Sequence, residues 1–241
     1  MKIATWNVAY GRGSANQLRL KQIQEVDADI WVLTETHDDL DLGPDFCRIQ
    51  SLCRSDEDST KGNRNIDEMS HWVTLWVRQS IFVDEITSEP DRRSAACLVA
   101  NGETQLVVYG LVLPWYNDKE TESFTEEIER HEKRWMRFVR ESNASLCVAG
   151  DFNVNLGGPH YYGAAASKSA IYKMMQSSVL TVATRFRDGA SSSGASLYGL
   201  IDHIALSTSI CDIEPKVERW SQKNGDGHAM SDHDGVAIQF G

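Results

Sequence analysis

The sequence predicts an α/β or α+β protein with a mixed sheet, and three observations support this class. Short runs rich in β-branched and aromatic residues recur along the whole chain. Helical patterns are fewer, and they fall between the strand-like runs. The 241 residues contain no internal repeat, low-complexity tract or long linker. We therefore expect a single domain over residues 1–241, in which strands outnumber helices.

The predicted strands are identified by their apolar, β-branched or aromatic content. Several of these runs end in polar residues. In chain order the predicted strands are Lys2–Val8, Ile30–Thr34, Trp72–Val77, Ala96–Val99, Gln105–Leu113, Ser145–Ala149, Leu200–Ser207 and Gly235–Phe240.

Helical spacing of apolar residues predicts helices over Asn16–Val26, Glu120–Ser142 and Ser167–Val179. The second of these has the longest apolar stripe, which includes Phe124 and Trp135. It begins acidic and ends basic, and this charge order complements the helix dipole.

The composition excludes several classes of protein. The formal net charge is −11, from 24 Lys and Arg against 35 Asp and Glu, which argues against a protein that coats nucleic acid. No apolar run reaches the roughly 18 residues of a membrane span, and the first residues lack the apolar region of a secretory signal. The five cysteines form no CxxC pair, so we expect reduced thiols and a cytoplasmic location. The oligomeric state is not predicted.

Polar side chains with acid–base or metal-binding capacity stand at the ends of five predicted strands. Carboxylates are costly to bring together unless a cation neutralises them. Oxygen ligands without cysteine favour Mg²⁺ or Mn²⁺ over zinc. A histidine beside such a site suits phosphoryl chemistry, because an imidazolium can stabilise developing negative charge. The side chains are Asn7, Glu35, Asp151 with Asn153, Asp202 with His203, and Asp232 with His233.

From Thr5 to the C-terminus the chain resembles the endonuclease/exonuclease/phosphatase superfamily. The motifs that carry this resemblance occur in the family's order: TWN with Asn7, LTET with Glu35, GDFN with Asp151 and Asn153, IDHI with Asp202, and SDH with Asp232 and His233. The resemblance implies a four-layer α/β sandwich, two packed mixed β-sheets flanked by helices, with the site at one edge of the sheets. It also implies an Mg²⁺-dependent phosphoric ester hydrolase.

The resemblance assigns a role to each motif residue. Glu35 is expected to be the principal Mg²⁺ ligand (Mn²⁺ is the other candidate), with Asn7 beside it and Asp232 as a further or water-mediated ligand. Asp151 is expected to orient or deprotonate the attacking water, and Asn153 to orient Asp151 or donate to a phosphate oxygen.

His233 and Asp202 are expected to act as a pair. The resemblance implies that His233 stabilises the transition state as an imidazolium, and that Asp202 sets its tautomer and raises its pKa. His203 follows Asp202 directly on a strand, so it should point to the opposite face and serve a structural role.

The sequence departs from the family where many members carry a phosphate-contacting Tyr or His before the long helix. The matching position is Val112, and Tyr109, Trp115 and Tyr116 are the candidate substitutes. Trp115 and Tyr116 follow a proline and are candidates to stack on a base or sugar, with packing as the other interpretation. Lys61 and Arg64 are candidates to contact substrate phosphates from a charged loop.

These observations predict a phosphoesterase that attacks phosphorus with water. A nuclease acting on nucleic acid is the first expectation. The alternative is a phosphatase or phosphodiesterase acting on a small or lipid-derived phosphoester, because the net charge of −11 does not suit binding of a polyanion. A fold that has lost its catalytic activity is disfavoured, since the expected catalytic side chains are all present.

Overall fold

The computed structural model describes residues 1–54, 68–86, 91–102, 104–115, 123–158, 162–185, 199–210 and 215–240. In these residues twelve strands form two six-stranded sheets. The strands are β1 (Lys2–Asn7), β2 (Ile30–His37), β3 (Phe46–Gln50), β4 (Ser70–Arg78), β5 (Phe82–Glu85), β6 (Ser94–Asn101), β7 (Thr104–Val112), β8 (Ser145–Asp151), β9 (Leu180–Val182), β10 (Asp202–Ser207), β11 (Lys216–Trp220) and β12 (Gly235–Gln239).

Both sheets are mixed. The first has the order β11-β12-β1-β2-β4-β3, and the second has the order β5-β6-β7-β8-β10-β9. Each contains one parallel pair near its centre, β1 with β2 and β7 with β8, and the other pairs are antiparallel. The carboxyl ends of the two strands in each parallel pair therefore lie at the same edge of their sheet.

Helices cover the outer faces of the two sheets. In the described residues these are α1 (Ala15–Val26), α2 (Phe124–Ser142) and α3 (Ala165–Ser177), with a 3-10 turn at Thr208–Ile210. Helix α2 begins at the N-cap Ser123, whose hydroxyl accepts a hydrogen bond from the Glu126 backbone N–H at 3.4 Å. None of the described helices has the length and apolar composition needed to cross a bilayer.

Three apolar cores separate the layers. Between the sheets lie buried side chains such as Val32, Val108 and Ile204. Ile23 of α1 packs with Trp31 on the outer face of the first sheet, and Trp135 of α2 packs with residues of the second sheet and α3. The order helix, sheet, sheet, helices confirms the predicted four-layer α/β sandwich.

The predicted strands and helices are all present, with ends shifted by up to three residues where both ends are described. Residues 120–122 of the predicted second helix lie outside the described residues. Four strands were not predicted, and they are β3, β5, β9 and β11, which are the edge strands of the two sheets. Edge strands are short and partly solvated, so they lack the continuous apolar runs that identify central strands.

Candidate active site

The first part of the site is built from the adjacent ends of β1 and β2. Asn7 is the last residue of β1 and pairs in parallel register with Thr34 of β2. Glu35 is the next residue of β2 after Thr34. Glu35 has φ of 50°, in the left-handed region, between the register pairs Thr34↔Val73 and Thr36↔His71. The Tyr10 backbone N–H donates to the Glu35 carbonyl at 2.5 Å, which ties the chain after β1 to this turn. The local geometry thus places the backbone of Glu35 next to the end of β1.

Asp151 is the last residue of β8 and follows a glycine that allows β8 to lie close to β7. Gly150 has φ of 138°, and a Cβ built there would lie 2.0 Å from the Leu111 carbonyl oxygen. Only glycine permits this close approach of β8 to β7. Beyond Asp151, the Asn153 backbone N–H donates to Asp151 Oδ1 at 2.8 Å, and Asn153 Nδ2 donates to the Leu113 carbonyl at 2.9 Å. Asn153 therefore orients Asp151 through its backbone.

Hydrogen bonding joins the two sheets at the site. Asn7 Nδ2, from the first sheet, donates to Asp151 Oδ2, from the second, at 3.2 Å. Both residues are buried, with exposed fractions of 0% for Asn7 and 2% for Asp151. This contact brings the ends of β1 and β8 to one place.

Asp202 and His233 complete the cluster. Asp202 begins β10 and lies opposite Asp151 in the antiparallel register. His233 Nδ1 lies 2.6 Å from Asp202 Oδ2. The segment before β12 is held by Ser231, whose hydroxyl donates to the Asn7 carbonyl at 2.5 Å and accepts from the His233 N–H at 3.1 Å. One potential ligand atom on each of Asp151, Asp202 and His233 lies within 4.8 Å of the others.

The electrostatics of the cluster favour a charged imidazole. Burial opposes protonation of His233, but the negative charges of Asp202, Asp151 and Asp232 outweigh it and raise the pKa of His233 to about 10. Burial and the neighbouring Asp202 raise the pKa of Asp151 to about 7, against the opposing charge of His233. Burial also raises the pKa of Asp202, and the negative charges of Glu35 and Asp232 add to this effect.

The donor set fits a hard divalent cation. Asp202 Oδ1 is buried and has no hydrogen-bond partner among the described residues. Asp151 and Asp202 lie opposite each other in the register of β8 and β10, and the negative charges of Glu35 and Asp232 also act on Asp202. Carboxylates so close together favour binding of a cation. Carboxylate and amide oxygens are ligands that Mg²⁺ and Mn²⁺ accept.

Of the four predicted substrate-binding residues, the structure describes one. Lys61, Arg64 and Tyr116 lie outside the described residues. Trp115 is half-buried, with its ring centroid 6.0 Å from that of Trp72 and 5.5 Å from the Arg93 guanidinium carbon. The structure therefore shows Trp115 packed against a neighbouring aromatic ring, with part of its surface exposed.

The structure also places Val112 and Tyr109, the two positions considered for a phosphate contact on β7. Val112 is 1% exposed and pairs with Asp151 in the parallel register of β7 and β8. Tyr109 cannot substitute for a tyrosine there, because it is fully buried and its hydroxyl bonds Ser94 and His131 beneath α2.

His203 is placed as expected for the strand neighbour of Asp202. It is fully buried, and its two ring nitrogens lie near the Thr184 hydroxyl at 3.2 Å and the Val154 carbonyl at 3.1 Å. Its contacts are therefore structural ones on the far face of β10.

Some residues near the site were missed by sequence reasoning. Arg19 of α1 is 5% exposed, and its guanidinium fills the space that a side chain at Gly11 would need. Burial lowers the pKa of Arg19, and the negative charge of Asp232 opposes this shift. Tyr162, in the loop after β8, lies within electrostatic reach of Asp151. A buried arginine inside an amphipathic helix and a tyrosine in a loop carry no motif that could have identified them.

Comparison with known proteins identifies the class. The sequence profile of the Endonuclease/Exonuclease/phosphatase family matches residues 4–233, so the chain belongs to this family. It is accordingly a hydrolase of phosphoester bonds. No curated protein sequence matches the chain.

Solved structures share the fold over nearly the whole chain. The catalytic domain of human Nocturnin has 14% identity and a TM-score of 0.68, covering 100% of this chain and 93% of that one. The endonuclease domain of TRAS1, a telomere-specific non-LTR retrotransposon, has 13% identity and a TM-score of 0.66, covering 99% and 97%. A mannosyl-6-phosphatase from Bacteroides thetaiotaomicron has 16% identity and a TM-score of 0.64, covering 100% and 99%. At these identities the likeness establishes the shared fold alone.

Proposed function

We propose that this protein is a divalent-metal-dependent phosphoesterase that hydrolyses phosphodiester bonds by in-line attack of water. The observation that carries the proposal is the convergence of Asp151, Asp202 and His233, with ligand atoms within 4.8 Å of one another, at the strand ends where Asn7 also lies. A buried acid cluster with a histidine partner is a costly arrangement, and such arrangements concentrate at functional sites.

Glu35 and Asn7 would hold the cation, with Asp232 beside them as a further ligand. These residues fit Mg²⁺ or Mn²⁺ because their ligand atoms are carboxylate and amide oxygens. When bound, the ion would offset negative charge on the phosphate and on the leaving oxygen.

Asp151 is the proposed base for water. Its carboxylate is held by Asn7 Nδ2 at 3.2 Å and by the Asn153 N–H at 2.8 Å, so its orientation is set before substrate arrives. A pKa raised to about 7 makes this carboxylate a better proton acceptor than an exposed aspartate.

His233 is the proposed stabiliser of the transition state. Its Nδ1 is engaged with Asp202 at 2.6 Å, which leaves Nε2 to donate to a phosphate oxygen. The side chain of His233 is 15% exposed and that of Asp202 is 1% exposed, so the histidine is the member of the pair that a substrate can reach. A pKa near 10 keeps the imidazole protonated at neutral pH.

A nuclease is the first candidate for the substrate class. The structures that share the fold include the TRAS1 endonuclease domain and a 3′ phosphatase from Neisseria bound to product DNA hairpin. Lys61 and Arg64 are the proposed phosphate contacts outside the site, and Trp115 and Tyr116 are the proposed stacking residues.

A small or lipid-derived phosphoester is the second candidate. The net charge of −11 disfavours a long polyanion, and a mannosyl-6-phosphatase is also among the structures that share the fold. We further propose that the chain forms a single domain. The free thiols of Cys47, Cys53, Cys97 and Cys147 are compatible with the predicted cytoplasmic location.

The experiment that tests the reaction class is a substrate panel with and without Mg²⁺. Duplex DNA, single-stranded DNA, RNA, inositol phosphates, sphingomyelin and an aryl phosphodiester are compared at saturating metal. Metal-dependent turnover of at least one phosphoester is expected, and its absence across the panel would contradict the proposal.

Salt dependence and a double variant separate the two substrate classes. A nuclease should lose apparent affinity steeply with salt, because bound phosphates release counterions. Lys61→Ala with Arg64→Ala should raise KM for DNA several-fold and leave an aryl phosphodiester unaffected. Lys133→Ala with Arg137→Ala removes the same charge from exposed positions of α2 and is the matched control. If the wild-type protein cleaves a small phosphoester and no nucleic acid, the second candidate replaces the first.

A further inference from the structure

The backbone of Tyr162 is held close to the turn that follows Asp151. The Tyr162 backbone N–H donates to Asn155 Oδ1 at 2.9 Å, and the Tyr162 carbonyl accepts from the Asn155 N–H at 3.4 Å. Asn155 is buried, with an exposed fraction of 2%, and it lies two residues beyond Asn153. The position of Tyr162 is therefore tied to the turn that orients Asp151.

The residue after Tyr162 strengthens this attachment. Gly163 has φ of 84°, and a Cβ built there would lie 2.7 Å from a Val154 side-chain carbon and 2.9 Å from the Asn153 carbonyl oxygen. The backbone of the loop thus packs directly on the Asn153–Val154 turn, at a distance that only glycine permits.

The side chain of Tyr162 is accessible although its backbone is held. It is 39% exposed, whereas most large apolar side chains near the site are buried. Within the described residues, no hydrogen bond engages the Tyr162 hydroxyl. An exposed phenol on an anchored backbone is free to donate to a ligand that enters the site.

The electrostatics agree with this placement. Partial burial and the negative charge of Asp151 raise the pKa of Tyr162, so the phenol stays protonated over the neutral range. A protonated phenol is a hydrogen-bond donor to an anion. The phenol thus lies within the electrostatic influence of Asp151, next to the turn that the Tyr162 and Gly163 backbones contact.

Neither Val112 nor Tyr109 can donate a hydrogen bond to a phosphate at the site. Val112, at the position that resembles the family's phosphate-contacting residue, has no polar side-chain atom and is 1% exposed. The Tyr109 hydroxyl is engaged beneath α2.

We propose that the Tyr162 hydroxyl donates a hydrogen bond to a non-bridging oxygen of the substrate phosphate and replaces the contact that is lost at Val112. This inference rests on the proposed phosphoesterase function. It names a contact to the phosphate group itself, so the effect of losing it should be similar for large and small phosphoesters.

The test compares Tyr162→Phe and Tyr162→Ala with the wild-type protein on an aryl phosphodiester at saturating Mg²⁺. Loss of one hydrogen bond to a charged group should lower kcat/KM by roughly 10- to 100-fold. Because the proposed contact is made by the hydroxyl alone, the two variants should fall by similar factors. The inhibition constant for inorganic phosphate, measured in the same assay, should rise in both.

Tyr172→Phe is the matched control. The Tyr172 hydroxyl accepts a hydrogen bond from the Gly157 N–H, in the same loop, at 2.9 Å. Tyr172→Phe therefore also removes one tyrosine hydroxyl, but this hydroxyl binds the loop backbone and is not proposed to contact the phosphate. We expect its kcat/KM to stay within about twofold of the wild-type value. Thermal unfolding of all three variants reports any general loosening of the loop.

The results with the wild-type protein and the tyrosine variants distinguish failure of the proposed function from failure of the Tyr162 contact. A wild-type protein that turns over no phosphoester overturns the proposed function and this inference with it. An active wild-type protein with an unchanged Tyr162→Phe variant overturns the inference alone. Equal losses in Tyr162→Phe and Tyr172→Phe also overturn it, because the effect would then come from the loop and not from the hydroxyl. A loss in the Tyr162 variants only, with weaker phosphate inhibition, supports it.

Discussion

His233 and Asp202 form a close pair, with Nδ1 2.6 Å from Oδ2, although they are separated by 31 residues in the sequence. The carboxylate is almost fully buried and the imidazole reaches the surface of the site. This geometry orients the ring and leaves Nε2 directed away from Asp202, so the pair is suited to donate a proton or a hydrogen bond to a substrate anion.

Removal of the Asp202 charge should lower the pKa of His233 from its value near 10. Asp202→Asn deletes the largest of the charges that favour the imidazolium, and burial then disfavours protonation. NMR titration of chelator-treated protein measures the shift, and Asp226→Asn, in an exposed loop, controls for loss of one negative charge. An unchanged His233 titration in Asp202→Asn would show that the pair is not electrostatically coupled.

The same pair should make stability depend on pH in a defined window. The pKa of His233 in the folded protein is raised to about 10 from the usual 6.5 of a histidine, so its contribution to stability is complete below pH 6.5 and is lost as pH rises through 10. Denaturant unfolding between pH 6.5 and pH 10 should show that the free energy of unfolding falls with rising pH more steeply in the wild-type protein than in Asp202→Asn. Parallel curves for the two proteins would contradict the assignment.

Glu35→Gln should raise the Mg²⁺ concentration needed for half-maximal rate. Glu35 supplies the full carboxylate charge assigned directly to the cation, and a neutral amide binds a divalent ion more weakly. Metal titration of initial rates measures the effect, and Glu25→Gln on the exposed face of α1 is the control. Identical metal dependence in Glu35→Gln and wild type would remove Glu35 from the proposed ligand set.

The rate should fall on acidification as Asp151 takes up a proton. Burial and Asp202 raise the pKa of Asp151 to about 7 in the absence of metal, and a bound cation should lower it by favouring the carboxylate. We therefore expect an acid limb in kcat/KM at or below pH 7 that is absent from Asp151→Asn. An acid limb that survives in this variant belongs to another group.

Central strands were predictable and edge strands were not, for a physical reason. Buried strands such as β2 and β7 present near-continuous apolar runs, because both of their faces lie in a core. The edge strand Lys216–Trp220 alternates exposed and partly buried residues over five positions, and its sequence resembles that of a loop. Pairing with β12 is what makes it a strand.

The site was predictable to the extent that its residues stand at strand ends. Asn7, Glu35, Asp151, Asp202 and His233 belong to motifs, and parallel or antiparallel pairing brings most of these ends together. The contact between Asn7 and Asp151 spans 144 residues and depends on how the two sheets pack. Tyr162 and Arg19 likewise acquire their positions through tertiary contacts, so no local pattern marks them.

Gly150→Ala should destabilise the fold by about 3 kcal/mol or more, because alanine would be strained at the positive φ of this position and its Cβ would clash with the backbone of β7. The added Cβ would lie 2.0 Å from the Leu111 carbonyl oxygen, and the backbone there has φ of 138°. Gly225→Ala, where nothing lies within 4 Å of the added carbon, is the control. Equal unfolding midpoints in denaturant for the two variants would contradict the close approach of β7 and β8.

The most direct test of the proposed function is Mg²⁺-dependent turnover of an aryl phosphodiester by wild type, Asp151→Asn and His233→Ala. We expect turnover by the wild-type protein that chelator abolishes and Mg²⁺ restores. Each variant should lose roughly 10²-fold or more in kcat, the scale expected for a positioned proton-transfer or electrostatic group. Wild-type activity that is unaffected by chelator, or variants as active as wild type, would contradict the assignment of this site.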